Sequence, residues 1–289
     1  MEFRDIKDVL TFAAFRPEPD NAKETWPKRF PAQKTLLINI NRASVTWRSV
    51  DKKGHLDVQG IQEGEFMDVA AQMADEWRGM TDDGWVSVSV NNRFIISLEH
   101  NLSRKKGWDD TIRSNPKSML GTKYDRNKRY ALHHNADTSA SLLLAVDDSM
   151  VRTYEDTLRN HNLKAGRISS GLFAMTSKLM TDISNDSMLG SGQDFIGISW
   201  CDGSICVLRQ TNAQWQEMRC RSGLPLGDAA AINQILAPFL EGADASTRVY
   251  FIGEEVDNSF TRDFLPQFES LHVSDLTQPD HLWQVLARH

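Results

Sequence analysis

The spacing of hydrophobic positions changes along the chain, and each change marks an element. Residues 36–40 (LLINI) and 44–50 (SVTWRSV) run apolar or alternate with period two, and GHLDVQGIQEG adds a third such run between the turn glycines Gly54 and Gly64. Three antiparallel strands are the economical reading. From Glu65 the period lengthens. Phe66, Val69, Ala70, Met73 and Trp77 recur at helical spacing, and GWVSVSV and RFIISLEH then resume strand character around the Asp83-Gly84 turn. Meander, helix and strand in that order predict a mixed α/β sheet with a crossover.

Residues 101–129 break the pattern. NLSRKKGWDD and KYDRNKR hold few apolar and many charged residues, so this stretch is expected to be an inserted, solvated loop with a short helix; the functional alternative is a docking surface. His133 and His134, on its far edge, are expected as loop residues rather than ligands. A βαβα phrase follows. Leu142–Val146 reads as a buried strand, and Asp147-Asp148-Ser149 as the cap of a helix with Val151, Tyr154 and Leu158 on one face. LKAGRIS is the next strand, before a helix carrying Leu172, Met175 and Leu179 as core.

After the polar linker DISNDSMLGSGQ the chain starts again in the same way. DFIGISW, ICVLRQ and WQEMRCRS form a second three-strand meander, followed by a helix over Asp228–Leu240, the strand TRVYFIG, a helix near Ser259–Phe268 and a terminal helix from His281. Two halves with one opening plan indicate an internal duplication. The expected organisation is an arm and linker over 1–34, with four prolines in 16–34, a first lobe over 35–182 and a second over 183–289.

Composition narrows the function. At 289 residues and 40% hydrophobic the chain can bury one large or two ordinary cores. Its net charge of −6 and pI near 5.8 offer no basic excess for gripping a nucleic acid backbone. Cys201, Cys206 and Cys220 lack CxxC spacing, and His161 and the His133-His134 pair complete no ligand pattern with them, so they read as reduced strand thiols of a cytosolic protein. The opening MEFRDIKDVLTFAAF carries early acids and too short an apolar run for a signal peptide. No run approaches eighteen apolar residues, so no direct membrane insertion is expected.

The duplicated plan, with three strand-turn phrases in order, resembles the actin-like ATPase superfamily and its two ribonuclease-H-like lobes. Within it, LLLAVDDSMVRTYEDTLRNHNLKAGRISSGLFAM is similar to the pilus-assembly and type II secretion branch, PilM and the cytoplasmic domain of GspL. The resemblance covers residues 35–289 and implies three nucleotide phrases. The first is a strand followed by Asp-x-Gly, and Asn39 and Asn41 hold those places here. In the second, Ser199 stands at the acid and Cys201 at the glycine. In the third, an apolar strand ending Gly-Gly, Gly253 is kept and Glu254 follows.

All three phrases depart in one direction. Neutral Asn and Ser cannot hold Mg²⁺, side chains at Asn41 and Cys201 crowd a phosphate, and Glu254 brings a carboxylate toward it. The resemblance then implies a non-catalytic scaffold without cofactor or metal, on the cytoplasmic side of an inner-membrane pilus or secretion-type assembly. It would hold a partner's cytoplasmic segment in a groove between subdomains. GspL-like members continue into a membrane helix, so a chain ending at His289 matches a stand-alone, PilM-like arrangement. The alternative is a Mg-ATP-dependent ATPase or sugar-kinase-like phosphotransferase in which Asp194 or Asp202 replaces the missing acid. Constitutive self-association of an actin-like filament also stays open. So does the plain reading, in which Asn39, Asn41, Ser199 and Cys201 are ordinary strand-end residues beside an Asp202-Gly203 hairpin turn.

Overall fold

The computed structural model describes residues 34–82, 84–103, 107–134, 140–185, 194–211, 214–224, 229–254, 268 and 271–288. The expected arm over 1–34 apart from Lys34, most of the linker DISNDSMLGSGQ and most of the helix expected near Ser259–Phe268 lie outside the described residues. The first half opens with β1 (Lys34–Ile40), β2 (Ser44–Asp51) and β3 (Leu56–Glu63), then α1 (Phe66–Gly79) and β4 (Trp85–Val90). After β5 (Ile96–Ser103), α2 (Trp108–Ser114), α3 (Pro116–Leu120), β6 (Lys128–His134), β7 (Ala140–Asp147) and α4 (Asp148–Asn160) comes β8 (Lys164–Ser170). The first half ends with α5 (Gly171–Asn185), and the second runs β9 (Phe195–Cys201), β10 (Ser204–Thr211), β11 (Gln214–Arg221), α6 (Ala229–Leu240), β12 (Arg248–Gly253), β13 (His272–Asp275) and α7 (His281–Arg288).

The two halves build sheets of one plan. Strand order is β3-β2-β1-β4-β8 in the first and β11-β10-β9-β12-β13 in the second. In each, the meander pairs antiparallel and the last two strands join parallel. The central strands explain themselves. KTLLINI is buried from Thr35 onward and FIGISWC along its whole length, as strands covered on both faces require.

Helices fill the faces in a stack of five layers. Phe66, Val69 and Trp77 of α1 and Val151 and Leu158 of α4 pack on Leu36, Ile38, Val86 and Val88 of the first sheet. Ile232, Ile235 and Phe239 of α6 cover Ile196, Ile198 and Val249 on the outer face of the second. Between the sheets, Leu172, Met175 and Leu179 of α5 and Leu282, Val285 and Leu286 of α7 share one core with Leu37 from one sheet and Phe195 and Tyr250 from the other. α5 packs on the second sheet, while α7, the end of the second half, returns to β1 and β4 of the first. The halves are interlocked by exchanged helices.

The region between β4 and α4 departs from expectation. β5 and β7 do not extend the first sheet; with β6 they form a separate three-stranded sheet of order β5-β7-β6. The charged stretch is no bare loop: α2 and α3 lie on this sheet, with Ile112 and Leu120 packed among Tyr130, Leu143 and Ala145. His133 and His134 end strand β6 rather than lying in a loop. Nor does the acidic cluster before α4 cap it as expected, because Asp147 makes no side-chain capping bond. Asp148 instead accepts from Arg129 Nε at 2.5 Å and Arg152 Nε at 2.6 Å. Strand β13, not foreseen from the sequence, completes the second sheet beside β12.

One glycine is demanded by packing. The indole of Trp47 lies over Gly60, where an added Cβ would fall 2.3 Å from two ring carbons. Trp47 in turn meets Trp77 edge-on at 5.5 Å. Gly60→Ala is therefore expected to cost about 1–2 kcal/mol in urea unfolding, by displacing a ring that has no slack. An unchanged midpoint would mean that the indole is not seated there.

Candidate functional site

The three phrases singled out in the sequence converge where the two sheets' central strands end. Asn39 is buried at the end of β1, and its Nδ2 donates to Asn41 Oδ1 at 2.7 Å. Asn41 opens the β1–β2 turn, with its backbone N–H on the Ser44 carbonyl at 2.9 Å. Opposite, Cys201 ends β9, and Asp202 and Gly203 form the β9–β10 turn, both at positive φ. Glu254 directly follows β12, after Gly253, whose N–H is held by Thr277 Oγ1 at 3.0 Å.

The turns are joined by the chain's own carboxylates. Asp202 Oδ2 accepts the backbone N–H of Arg42, in the β1–β2 turn, at 3.0 Å, and also accepts from Asn91 Nδ2. Glu254 Oε1 accepts the backbone N–H of Asp202 at 2.7 Å, and its other oxygen takes the Cys201 thiol at 3.7 Å. Backbone N–H groups in such turns are anion seats. Here Asp202 sits in the seat of the first turn and Glu254 in that of the second.

Further contacts close the junction. Asn92, buried after β4, accepts from Ser170 Oγ and from the Leu172 N–H (3.1 Å), and its Nδ2 reaches the Cys201 carbonyl at 3.5 Å. One side chain thus ties β4, the start of α5 and the end of β9. Gly171 packs so closely that a Cβ would lie 3.0 Å from Cys201 Sγ and 3.1 Å from Leu282 Cδ1. The second turn is backed by Leu224, whose N–H bonds to the Gly203 carbonyl at 2.9 Å and whose own carbonyl leaves no room for a Cβ on Gly203.

The electrostatics follow from burial. Glu254 is pushed up to about 7, first by burial and then by the neighbouring Asp202 charge, against the Asp202 N–H that stabilises its anion. Asp202 is pushed up to about 6 by burial, although the Arg42 N–H and the Arg93 and Arg42 guanidinium groups oppose the shift. Burial and the same two carboxylates hold the Cys201 thiol well above its usual range, so it is a neutral packing group.

Other candidates fall elsewhere. Ser199 is wholly buried inside β9, and among the described residues its hydroxyl has no hydrogen-bond partner. Asp194 precedes β9 at the strand's opposite end, about 20 Å from Cys201 at the usual strand rise, so it cannot stand in for a metal-binding acid. Cys206 and Cys220 are cross-strand neighbours on β10 and β11, both free thiols. Among the described residues no group of three or more His, Cys, Asp or Glu side chains could hold a metal ion. Asn91, Asn92 and Gly171 were missed in the sequence; the Asn-Asn pair after the strand VSVSV was the available signal.

The turn N–H groups that could seat a Mg-nucleotide are already taken. Its phosphates would meet two carboxylates already bonded to the turn N–H groups, across a junction without room for a Cβ at Gly171 or Gly203.

A groove opens on the far side of β8. About 210 Å³ in volume, it lies between the outer edge of that strand at Arg167–Ser170 and a wall formed by Tyr130, Leu132, Leu144 and Phe173. Arg129 also lines it, held in a fork by Glu155 (2.7 Å to each oxygen) and by Asp148.

No model of a known protein family matches this chain, and no curated protein matches it in sequence. Solved structures do match. A Bacteroides thetaiotaomicron protein with an actin-like ATPase fold and unknown function aligns with TM-score 0.57 at 11% identity, over 93% of this chain and 99% of that one. The PilM–PilN type IV pilus biogenesis complex aligns with TM-score 0.52 at 11% identity, over 88% and 94% of the two chains. The cytoplasmic domain of EpsL, an inner-membrane component of the Vibrio cholerae type II secretion system, aligns with TM-score 0.50 at 10% identity, over 88% and 93%. The shared strand order, the exchanged helices and these alignments together establish that the chain has the actin-like fold, with two ribonuclease-H-like lobes.

Proposed function

We propose that this chain is a non-catalytic actin-like scaffold that binds a partner protein's segment at a cytoplasmic, inner-membrane-associated assembly of pilus or secretion type. One observation carries the reading: the backbone N–H groups of Arg42 and Asp202, one in each hairpin turn, are occupied by the carboxylates of Asp202 and Glu254. A phosphate would have to displace both and then sit among like charges. With that junction closed, the groove between β8 and the three-stranded sheet is the opening suited to a partner. The PilM–PilN complex supports a protein ligand by analogy of fold alone. Among the described residues no helix is long and apolar enough to cross a membrane, so attachment through a partner is the arrangement this reading adopts.

The test is thermal unfolding with and without millimolar Mg-ATP. A ligand at a hundred times its Kd stabilises the folded state by about 2.7 kcal/mol, a rise of roughly 5 °C or more for a chain of this size. No shift is expected. A Mg-dependent rise that disappears in Asp202→Asn would overturn the proposal in favour of a phosphotransferase that uses Asp202, the one predicted replacement acid that does stand in the junction.

A further inference from the structure

A second cavity, of about 730 Å³, lies between the first sheet, the β2–β3 turn and α7. Thr35, at the start of β1, lines it, whereas Asn39 at the other end of that strand belongs to the closed junction. Its volume is that of a small-molecule site. The register of the sheet sets what faces it. Arg48, Leu37, Ser87 and Arg167 stand in one row across β2, β1, β4 and β8, and Leu37 points into the core shared with α7. The four side chains therefore share the face that looks onto α7. The row begins and ends with an arginine.

Those two arginines are completed differently. Arg48 forms an ion pair with Asp280, at the entry to α7. Arg167 Nε donates to Ser87 Oγ at 3.0 Å, and among the described residues no ion pair reaches its guanidinium. Burial pushes Arg167 down to about 10. A guanidinium taken largely out of water with one serine for a partner is costly unless an anion completes it. The two carboxylates that line the cavity are engaged elsewhere: Asp280 by Arg48, and Asp51 by the backbone N–H groups of Lys53 (2.8 Å) and His55 (2.9 Å).

Further positive charge stands on the far side of the cavity. Lys52 and Lys53, exposed on the β2–β3 turn, line it as well. Three strand steps separate β8 from β2, about 14 Å between backbones. Apolar Leu37, Val50 and Leu286 line the same space. A molecule with one anionic centre satisfies only one side of such a cavity. One with an anion at each end of a hydrocarbon chain satisfies both.

We propose that this cavity binds a small α,ω-dicarboxylate, with one carboxylate in a two-point fork on the Arg167 Nη groups, the other facing Lys52 and Lys53, and the methylene chain against Leu37 and Leu286. The site goes beyond the scaffold reading and stands without it. α7 is the last element of the second half and packs on β1 and β4 of the first. A ligand seated between α7 and the first sheet therefore binds the docked lobes and stabilises them.

Isothermal titration calorimetry of the full chain with unbranched dicarboxylates from succinate to suberate tests this, with butyrate and inorganic phosphate alongside. A preferred chain length is expected, because Arg167 is fixed at one end, and the preferred compound should raise the melting temperature. Butyrate should bind at least about tenfold more weakly, the worth of one charge-assisted contact. Arg167→Gln should abolish binding. Lys52→Ala with Lys53→Ala should weaken the best dicarboxylate to the level of butyrate. Ala287→Trp, which fills the cavity from α7, should also abolish binding, and melting curves establish that each variant is folded. Binding of no member of the series overturns the proposal, and so does binding that survives Arg167→Gln or Ala287→Trp. Inorganic phosphate bound as tightly as the best dicarboxylate, and lost in Arg167→Gln, would make this a single-anion seat and overturn the two-ended ligand.

Discussion

Changing Glu254 to glutamine is expected to stabilise the protein by about 2–3 kcal/mol at pH 8.5 and to change its stability little at pH 4. The reason is the direction of the titration. Glu254 is pushed up to about 7 in the folded chain, against 4.5 for the free side chain, so between those values the folded state holds a proton that the unfolded state has lost. Stability therefore falls as pH rises through that window, and above about 7 the full cost of ionising a buried carboxylate beside Asp202 is present. Glutamine keeps an oxygen for the Asp202 N–H and carries no charge. Chemical unfolding of both proteins from pH 4 to 8.5 should give curves that coincide at the acid end and separate above pH 5. Parallel curves would show that the carboxylate is not protonated on folding, and would remove the argument that the closed junction is tuned by burial.

Glu155→Ala should cost about 3 kcal/mol, the largest loss expected of any single truncation considered. The fork from Arg129 to Glu155 joins β6 of the small sheet to α4 of the first lobe, with the two side chains only 11% and 4% exposed. Removing the carboxylate takes the two-point fork from a buried guanidinium, and the penalty is the undercompensated charge rather than the net worth of the pair. Removing both, in Arg129→Met with Glu155→Leu, should recover most of the loss. Amide exchange should locate the damage: β6 and β7 are expected to open in Glu155→Ala while β1 and β9 keep their protection. A loss below about 1 kcal/mol, or one spread evenly over both lobes, would show that the fork does not hold the small sheet in place.

Much of this architecture is visible in a single chain because strand and helix periods are local properties. KTLLINI and FIGISWC read as buried strands from their runs of apolar residues, and the spacing Phe66, Val69, Ala70, Met73, Trp77 placed α1. The duplicated meanders gave away the paired lobes. Partner choice was less legible. RFIISLEH and SLLLAVD were recognised as strands, but alternation says which face is apolar and not which neighbour covers it, so their departure into a separate sheet could not be read. The charged stretch before β6 was misjudged because Ile112, Met119, Leu120 and Tyr124 are sparse in sequence and become a core only when two short helices fold over one sheet.

The candidate site divides along the same line. Sequence order by itself determined which phrases would meet, since Asn39, Cys201 and Glu254 end or follow strands whose places in the two sheets are set by the repeated plan. The family resemblance set Asn39, Asn41, Ser199 and Cys201 at the places where it implies acids and glycines. Only the tertiary structure decided what fills the gap. Asp202 reaches the Arg42 N–H across 160 residues, and Glu254 reaches Asp202 across 52. It likewise surrounded Arg129 with two carboxylates, Asp148 and Glu155. Those outcomes depend on where side chains end in space once α5 and α7 have locked the lobes together. Hydrogen bonds and charge pairs form over about 3 Å, and no local period in a sequence specifies distances of that kind between residues so far apart along the chain.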